Sequence, residues 1–399
     1  IKTGTFVPVN GEGYFVDTSG GVSTANLPAG SAGAIVSFAD YTRTFQTNNL
    51  TITPNGSEKI GGVAANFVAQ TEGQSITLVY VDATEGWINT AESTGQAGLL
   101  PAFITACGGT PTTVGDYKIH TFTGPGTFTV TCVGNVLGSN TVDYLVVAGG
   151  GSGANANCSS NGQAAGAGAG GYRESSGTAS GCYSRSPLGA CVSALPVTAT
   201  GYPITVGAGG AALTSQANGN SGSNSTFSTI ISAGGGGGGK ITAGGSGGSG
   251  GGEACGTGAG AGNTPPVSPA QGNTGGIAAG SNPAGTMVSG GGGGATAVGG
   301  VGTASTGPAG PGGAGATTSI SAGTTVYAGG GGGGGNNGQP GGGAGGSGGG
   351  GAGGAYPTGS GTNGTTNTGG GGGAGASGPG SATSGAGGSG IVIIRYKFQ

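Results

Sequence analysis

Side chains that do chemistry are scarce in this sequence, and their spacing argues against most reactions. The 399 residues include one histidine, 12 Asp and Glu, and 9 Lys and Arg. A lone histidine, His120, leaves an enzyme almost without the commonest proton shuttle. It falls inside a strand candidate, where a structural role is expected. Asp82 and Glu85 are the nearest thing to a paired-carboxylate site of the glycosidase kind, but they read as turn residues. A literal G-x-S-x-G stands at Gly244–Gly248, and G-x-G-x-x-G matches recur. With 109 glycines such matches follow from composition, and no strand–turn–helix context supports them. The six cysteines are Cys107, Cys132, Cys158, Cys182, Cys191 and Cys255. They lack the close C-x-x-C spacing that zinc requires. Cys158, Cys182 and Cys191 fall in one stretch that disulfides could staple, and the pairing stays open. The expectation is a chain that is not an enzyme and holds no metal and no cofactor.

Composition narrows the remaining choices. Glycine makes up 109 of 399 residues, about four times its usual share of roughly 7%. Net charge is −3 with no basic stripe, so the phosphate-neutralising footprint of a nucleic-acid binder is missing. No stretch approaches the roughly 20 apolar residues that span a bilayer, and no basic amphipathic helix points to a membrane surface. Residue 1 is Ile and the only Met is Met287. The chain is therefore expected to be a processed product or a fragment, with any targeting segment upstream of it.

The elements divide the chain unevenly. Residues 1–92 read as an all-β module. Gly13–Thr18, Ala34–Asp40, Asn49–Pro54 and Ser75–Asp82 are short runs rich in Val, Ile, Thr, Tyr and Phe, separated by Gly, Pro and Asn. In Ser75–Asp82, Ile76, Leu78 and Tyr80 alternate with a mixed face, as a sheet packed on a second layer requires. Trp87 is expected to cap this small core. Residues 93–115 read as a connector, with one apolar patch at Leu99–Thr105. Residues 116–399 begin with three strand candidates, Tyr117–Thr123, Gly126–Val133 and Val142–Ala148, and end with a fourth, Gly390–Phe398. Between them, Pro203–Gly207, Thr229–Ala233, Thr286–Ser289 and Thr324–Ala328 each lead into a glycine run, with no fixed period.

Glycine-rich composition alone favours disorder. Two observations oppose it. Disordered tracts are usually charged, whereas Ala254–Ile394 contains no Asp, Glu, Lys or Arg. Strands also bracket the tract and tie both ends into one fold. A polyproline-II helix has three residues per turn and no internal hydrogen bonds, so its backbone groups point outward. Where glycine removes the Cβ atoms, neighbouring helices can approach and bond laterally. Gly329–Gly335 would span about 22 Å at the rise of this helix. Buried charge would be intolerable in such a bundle. The expected fold is an all-β N-terminal module plus a β scaffold bracketing a polyglycine-II helix bundle, with almost no α-helix.

VDYLVVAGGG (Val142–Gly151), PITVGAGG (Pro203–Gly210) and GGSGIVIIRY (Gly387–Tyr396), with FTGPGTFTV (Phe122–Val130) upstream, resemble the glycine-rich domain of bacteriophage tail-fibre and adhesin proteins. Gly13–Trp87 looks like a β module of phage fibre and virion surface proteins, often trimeric. The resemblance implies a virion-surface, extracellular protein. Its glycine-rich domain would bind a host cell-surface glycan or outer-membrane protein through loops between polyglycine-II helices. It also implies other virion or fibre subunits as partners and a homotrimer, with no nucleic acid and no membrane insertion. The alternative is a purely structural fibre, matrix or decoration protein. Aromatic and amide side chains on loops suit such recognition. Tyr172, Arg173, Tyr183 and Arg185 cluster in the first long insertion; Asn336 and Asn337 end the longest glycine run, and Tyr356 and Asn363 sit late. These eight are the candidate receptor-binding residues.

Overall fold

Period-two alternation in the first hundred residues sets the register of two sheets. The computed structural model describes residues 1–93, 102–134, 138–156, 163–181, 183–189, 191–240, 242–256, 258–280, 287–303, 307–337, 341–378 and 382–399. The chain forms two units, Ile1–Pro101 and Ala102–Gln399. In the first unit the strands are β1 (Thr5–Phe6), β2 (Glu12–Val16), β3 (Ser23–Asn26), β4 (Ile35–Asp40), β5 (Leu50–Thr53), β6 (Phe67–Ala69), β7 (Ser75–Asp82) and β8 (Gly86–Glu92). They form two sheets, ordered β1-β3-β5-β6 and β2-β4-β7-β8. Inward residues of both sheets share one core, including Phe38, Leu50, Ile52, Phe67, Ile76, Leu78 and Trp87. Burying each such side chain contributes about 1.5–3 kcal/mol. Trp87 is fully buried, packs edge-on to Tyr80 at 5.5 Å and donates its indole N–H to Glu58 Oε2 at 3.2 Å. Asp82 Oδ1 accepts the amides of Thr84 and Glu85, each at 2.8 Å, which closes the β7–β8 turn.

The second unit contains β9 (Thr105–Cys107), β10 (Thr110–Val114), β11 (Tyr117–Phe122), β12 (Gly126–Cys132), β13 (Thr141–Val147), β14 (Tyr172–Glu174), β15 (Leu195–Pro196), β16 (Gly201–Thr205), β17 (Ser225–Phe227), β18 (Ile230–Ser232), β19 (Ala316–Thr318), β20 (Thr325–Tyr327) and β21 (Ile391–Lys397). One sheet runs β10-β11-β21-β13-β14 with β15 attached to β13; another runs β18-β17-β16-β12-β9; β19 and β20 form a hairpin. The expected connector is thus partly strand: Thr110–Val114 pairs residue for residue with Tyr117–Thr121, and Thr105–Cys107 pairs with β12. Their β-branched residues gain a ladder that the composition of the stretch concealed. Of the apolar patch expected there, Ile104 joins the core, while Leu99, Leu100 and Pro101 lie outside the described residues. Val142–Val147 and Ile391–Tyr396 are buried on both faces, which is why both read as continuous apolar runs.

The glycine runs form a bundle with regular bonding. Among the described residues, eighteen extended segments are numbered g1–g18 in chain order: g1 148–155, g2 164–171, g3 207–213, g4 217–224, g5 233–239, g6 244–248, g7 249–253, g8 258–262, g9 273–278, g10 288–295, g11 297–303, g12 308–315, g13 328–336, g14 341–347, g15 350–355, g16 359–365, g17 369–377 and g18 382–390. Bonds between segments recur every third residue. In g1, Gly151 and Ala154 donate to Gly168 and Ala165 of g2, Ser152 and Asn155 to Asn220 and Ala217 of g4, and Gly150 and Gly153 to Gly388 and Gly385 of g18. The carbonyls of g1 accept from g3 (Gly210), g5 (Gly235, Gly238) and g17 (Gly372, Gly375). Three residues per turn and purely lateral bonds are the signature of the polyproline-II helix. Three donor rows and three acceptor rows give six neighbours, so the packing is hexagonal.

The same count holds for g2, g7, g10, g13 and g17. The bonds arrange the segments in five layers: g6 and g8; g4, g5, g7 and g9; g3, g1, g2, g10 and g11; g18, g17, g13 and g12; g16, g15 and g14. Glycine is a steric requirement at many central positions, although Ala164, Ala165, Ala167 and Ala169 of g2 are fully buried as well. A Cβ on Gly331 would lie 2.1 Å from the carbonyl oxygen of Gly372, and one on Gly151 would lie 2.4 Å from that of Gly236.

Candidate functional site

Strand polarity gives the bundle two unlike ends. β13 runs straight into g1, β14 leaves g2, the β17–β18 hairpin joins g4 to g5, the β19–β20 hairpin joins g12 to g13, and β21 leaves g18. Segment g2 is antiparallel to both g1 and g13, through Gly151–Gly168 and Ala154–Ala165, and Gly331–Ala167 and Gly334–Ala164. All of these strands therefore lie at the end where g1 begins. The opposite end carries connections such as 214–216 and 356–358.

Tyr172, Arg173, Tyr183 and Arg185 belong to the strand end. There, two buried carboxylates pin the insertion. Asp143, fully buried on β13, accepts from Ser175 Oγ at 2.7 Å, from the amides of Gly177, Ala179 and Ser180 at 3.0, 3.0 and 2.8 Å, and from Ser180 Oγ at 2.6 Å. Glu174 Oε2 accepts from the Tyr172 hydroxyl at 2.8 Å and from Ser186 N and Oγ at 2.9 and 2.6 Å; Oε1 accepts from Thr318 Oγ1 at 2.5 Å. Burial pushes the Glu174 carboxyl above its ordinary value, and the four donors pull it back. Tyr172 sits on β14 rather than in a loop and is 1% exposed. It is a buried donor, so it is withdrawn from the recognition surface. The Arg395 guanidinium carbon lies over the Tyr183 ring, 5.4 Å from its centroid, and over the Tyr117 ring at 4.7 Å. Burial presses the Arg395 pKa down, against the pull of Tyr117, Tyr183 and Asp143. Arg185 is exposed and donates to Ser176 O at 3.1 Å; Arg173 is half-buried and donates to Ile231 O at 3.4 Å.

Asn336, Asn337 and Tyr356 belong to the opposite end, where g13 and the parallel g15 finish. Asn336 is buried and donates to Met287 O at 2.6 Å, so it closes the helix end; Asn337 beside it is exposed. Tyr356 is half-buried and precedes the exposed Pro357 and Thr358. Asn363 lies exposed on the outer layer and accepts the Ala386 amide at 2.9 Å through Oδ1. The eight candidates thus fall on opposite ends and one flank, and no single patch gathers them.

His120 is 1% exposed. Its Nδ1 lies 2.7 Å from the Gly108 carbonyl and must carry the proton; Nε2 then accepts from the Tyr396 hydroxyl at 3.1 Å. Burial lowers its pKa, partly opposed by the Gly108 bond and reinforced by Lys118, and raises that of Tyr396 to about 12. Cys107, Cys132 and Cys191 are free and exposed; Cys158 and Cys182 lie outside the described residues. Among the described residues no cluster of three or more His, Cys, Asp or Glu could hold a metal, and no helix is long and apolar enough to cross a membrane. Asp143 escaped the sequence reading, which places Glu174 among the polar side chains of the first long insertion and not as its buried anchor. The available signal was Glu174 next to Ser175 in a serine-rich stretch; nothing in the sequence links Asp143, 32 residues before Ser175, to that stretch.

A family model described as a glycine-rich domain matches residues 121–397. The chain belongs to this family. The match runs from inside β11 to the last residue of β21, so the glycine-rich domain takes in the whole helix bundle and its central bracketing strands. No curated protein matches the chain.

Proposed function

We propose that this glycine-rich domain protein is a host-recognition adhesin of a virion surface. In this reading it binds a cell-surface glycan or outer-membrane protein through the loops at the bundle end opposite the strands β13, β14 and β17–β21. The N-terminal β module would join it to other fibre subunits as one of three copies, and recognition would involve no catalytic step. The observation that carries the reading is the separation of roles along the bundle axis. Inside, bonding is mostly backbone to backbone and most positions are glycine or alanine, so recognition falls to the side chains of the connecting loops. Their stems are fixed by lateral bonds on several sides, which lowers the ordering cost of binding. Asn337, Tyr356 and Thr358 are the residues we assign to contact there, with Asn363, Arg173 and Arg185 as peripheral contacts.

Labelled full-length chain should bind host cells saturably and block adsorption of a virion that carries it. Tyr356→Ala with Asn337→Asp should weaken binding at least ten-fold, about 1.4 kcal/mol, with an unchanged melting temperature. No competition at saturating protein would sink the reading. The rigidity of the lattice favours a second reading, a purely structural fibre or decoration, for which the double variant would adsorb as the parent does.

A further inference from the structure

Charge is almost absent from the bundle end opposite the strands. The stretches that join segments there, from 156–163 and 214–216 to 356–358 and 378–381, contain one charged residue, Lys240, between g5 and g6. Glu253, the last residue of g7, is the other charge at that end. It is 7% exposed and committed inside the fold: Oε1 accepts the Gly258 amide at 2.9 Å and Oε2 the Ala278 amide at 3.1 Å. Lys240 turns elsewhere. Its Nζ donates to Gln216 Oε1 at 2.8 Å, and it forms no ion pair among the described residues.

Amide groups hold the lysine in place. Lys240 N donates to Asn218 Oδ1 at 2.9 Å, and Asn218 Nδ2 donates to Thr242 Oγ1 at 2.6 Å. Asn218 stands on g4, which the lattice fixes next door through the Gly219 amide and Gly238 O at 2.8 Å. Gln216, Asn218 and Thr242 are exposed and Lys240 is half-buried, so the four side chains form one accessible polar patch. Its free bonding capacity is lopsided. An ammonium carries three N–H donors and a primary amide two. The bonds above leave two donors on Lys240, two on Gln216 and one on Asn218.

We infer that this patch binds a carboxylate-bearing sugar, a uronic or sialic acid residue of a cell-surface glycan. A carboxylate only accepts hydrogen bonds, which is what surplus donors require, and its single charge matches the single ammonium. A phosphate monoester carries about −1.5 to −2 and would leave charge unbalanced. The amides and the Thr242 hydroxyl suit ring hydroxyls, which both donate and accept. Because Glu253 is spent on backbone amides, no accessible carboxylate of this end competes for the lysine. The inference rests on the adhesin reading for its setting and names the ligand class of one patch at the proposed binding end.

The full chain on an array of glucuronic, galacturonic and sialic acid glycans tests it, each beside its methyl ester and a neutral counterpart, with phosphorylated mannose alongside. At least one acid should bind about five-fold more strongly than its ester, the scale of one exposed ion pair, and the preference should shrink as salt rises from about 0.05 to about 0.5 M. Lys240→Met, which keeps the stem and removes the charge, should abolish the preference; Lys240→Arg should retain most of it. Asn218→Asp, which sets a carboxylate beside Lys240, should abolish it too. Lys118→Met, on β11, should bind as the wild type does, and melting should be unchanged throughout. Equal binding of acid and ester, binding of the phosphorylated sugar alone, or a preference that Lys240→Met leaves intact overturns the inference. Saturable host-cell binding would in those cases leave the adhesin reading standing. An acid preference lost in Lys240→Met but without host-cell binding keeps the patch and overturns the adhesin reading.

Discussion

At the scale of single residues, glycine acts here through its missing Cβ. Gly331→Ala places a methyl 2.1 Å from the Gly372 carbonyl oxygen, so neighbouring helices must part. We expect a loss of about 2–4 kcal/mol, from overpacking and weakened lateral bonds. Gly323→Ala, where nothing lies within 4 Å, should change stability by no more than about 0.5 kcal/mol; denaturant titration of the pair checks both. His120 gives a pH dependence of definite sign. Its folded pKa lies below the ordinary value, so the unfolded chain takes up the proton first. The stability is fully present above about pH 6.5 and is lost as pH falls below it. The unfolding midpoint should drop between pH 7 and 5, and His120→Gln should flatten that slope. The sequence placed His120 in a strand, but its two partners come from β21 and the Gly108 turn, which pattern alone does not bring together. Tyr172 and Asn336 show the same limit: their types were legible as recognition residues, and their inward direction was not.

At the scale of elements, the strands were the legible part. Ser75–Asp82 alternates and is buried in alternation, while the closing strand is apolar throughout and buried on both faces. The insertion after β14 was not legible, because its order comes from two acids that hold serines and amides rather than from an apolar face. Asp143→Asn leaves a donor group facing donors. It should cost about 3 kcal/mol or more and raise hydrogen exchange at Gly177, Ala179 and Ser180 well beyond that of the g1 amides. Unchanged exchange there would show that the loop is held by other contacts.

At the scale of the molecule, the neutral glycine tract pointed to a bundle, yet the order of helices in it was hidden. One run of glycines reads like another, and neither period nor side chain says that g1 lies beside g17 and g18. That order is set by the connections and by the strands that fix where each run starts. The two units offer a separate test. Trp87 is the only tryptophan and is buried in the first unit, so its fluorescence reports that unit. Exchange of the g1 and g13 amides reports the second. The two unfolding transitions should fall at different denaturant concentrations, and coincident ones would mean a single cooperative block.

The position of the final strand bears on biosynthesis. β21 hydrogen-bonds to β11 on one side and β13 on the other, and g18, just before it, bonds to g1. The first glycine helix thus waits for the last, and the sheet stays open at its middle until residues 391–397 have left the ribosome. Contacts of such sequence separation make folding slow, and unsealed strand edges are prone to misassociation meanwhile. A chain truncated by even its last ten residues should therefore accumulate in aggregates rather than as a shortened bundle.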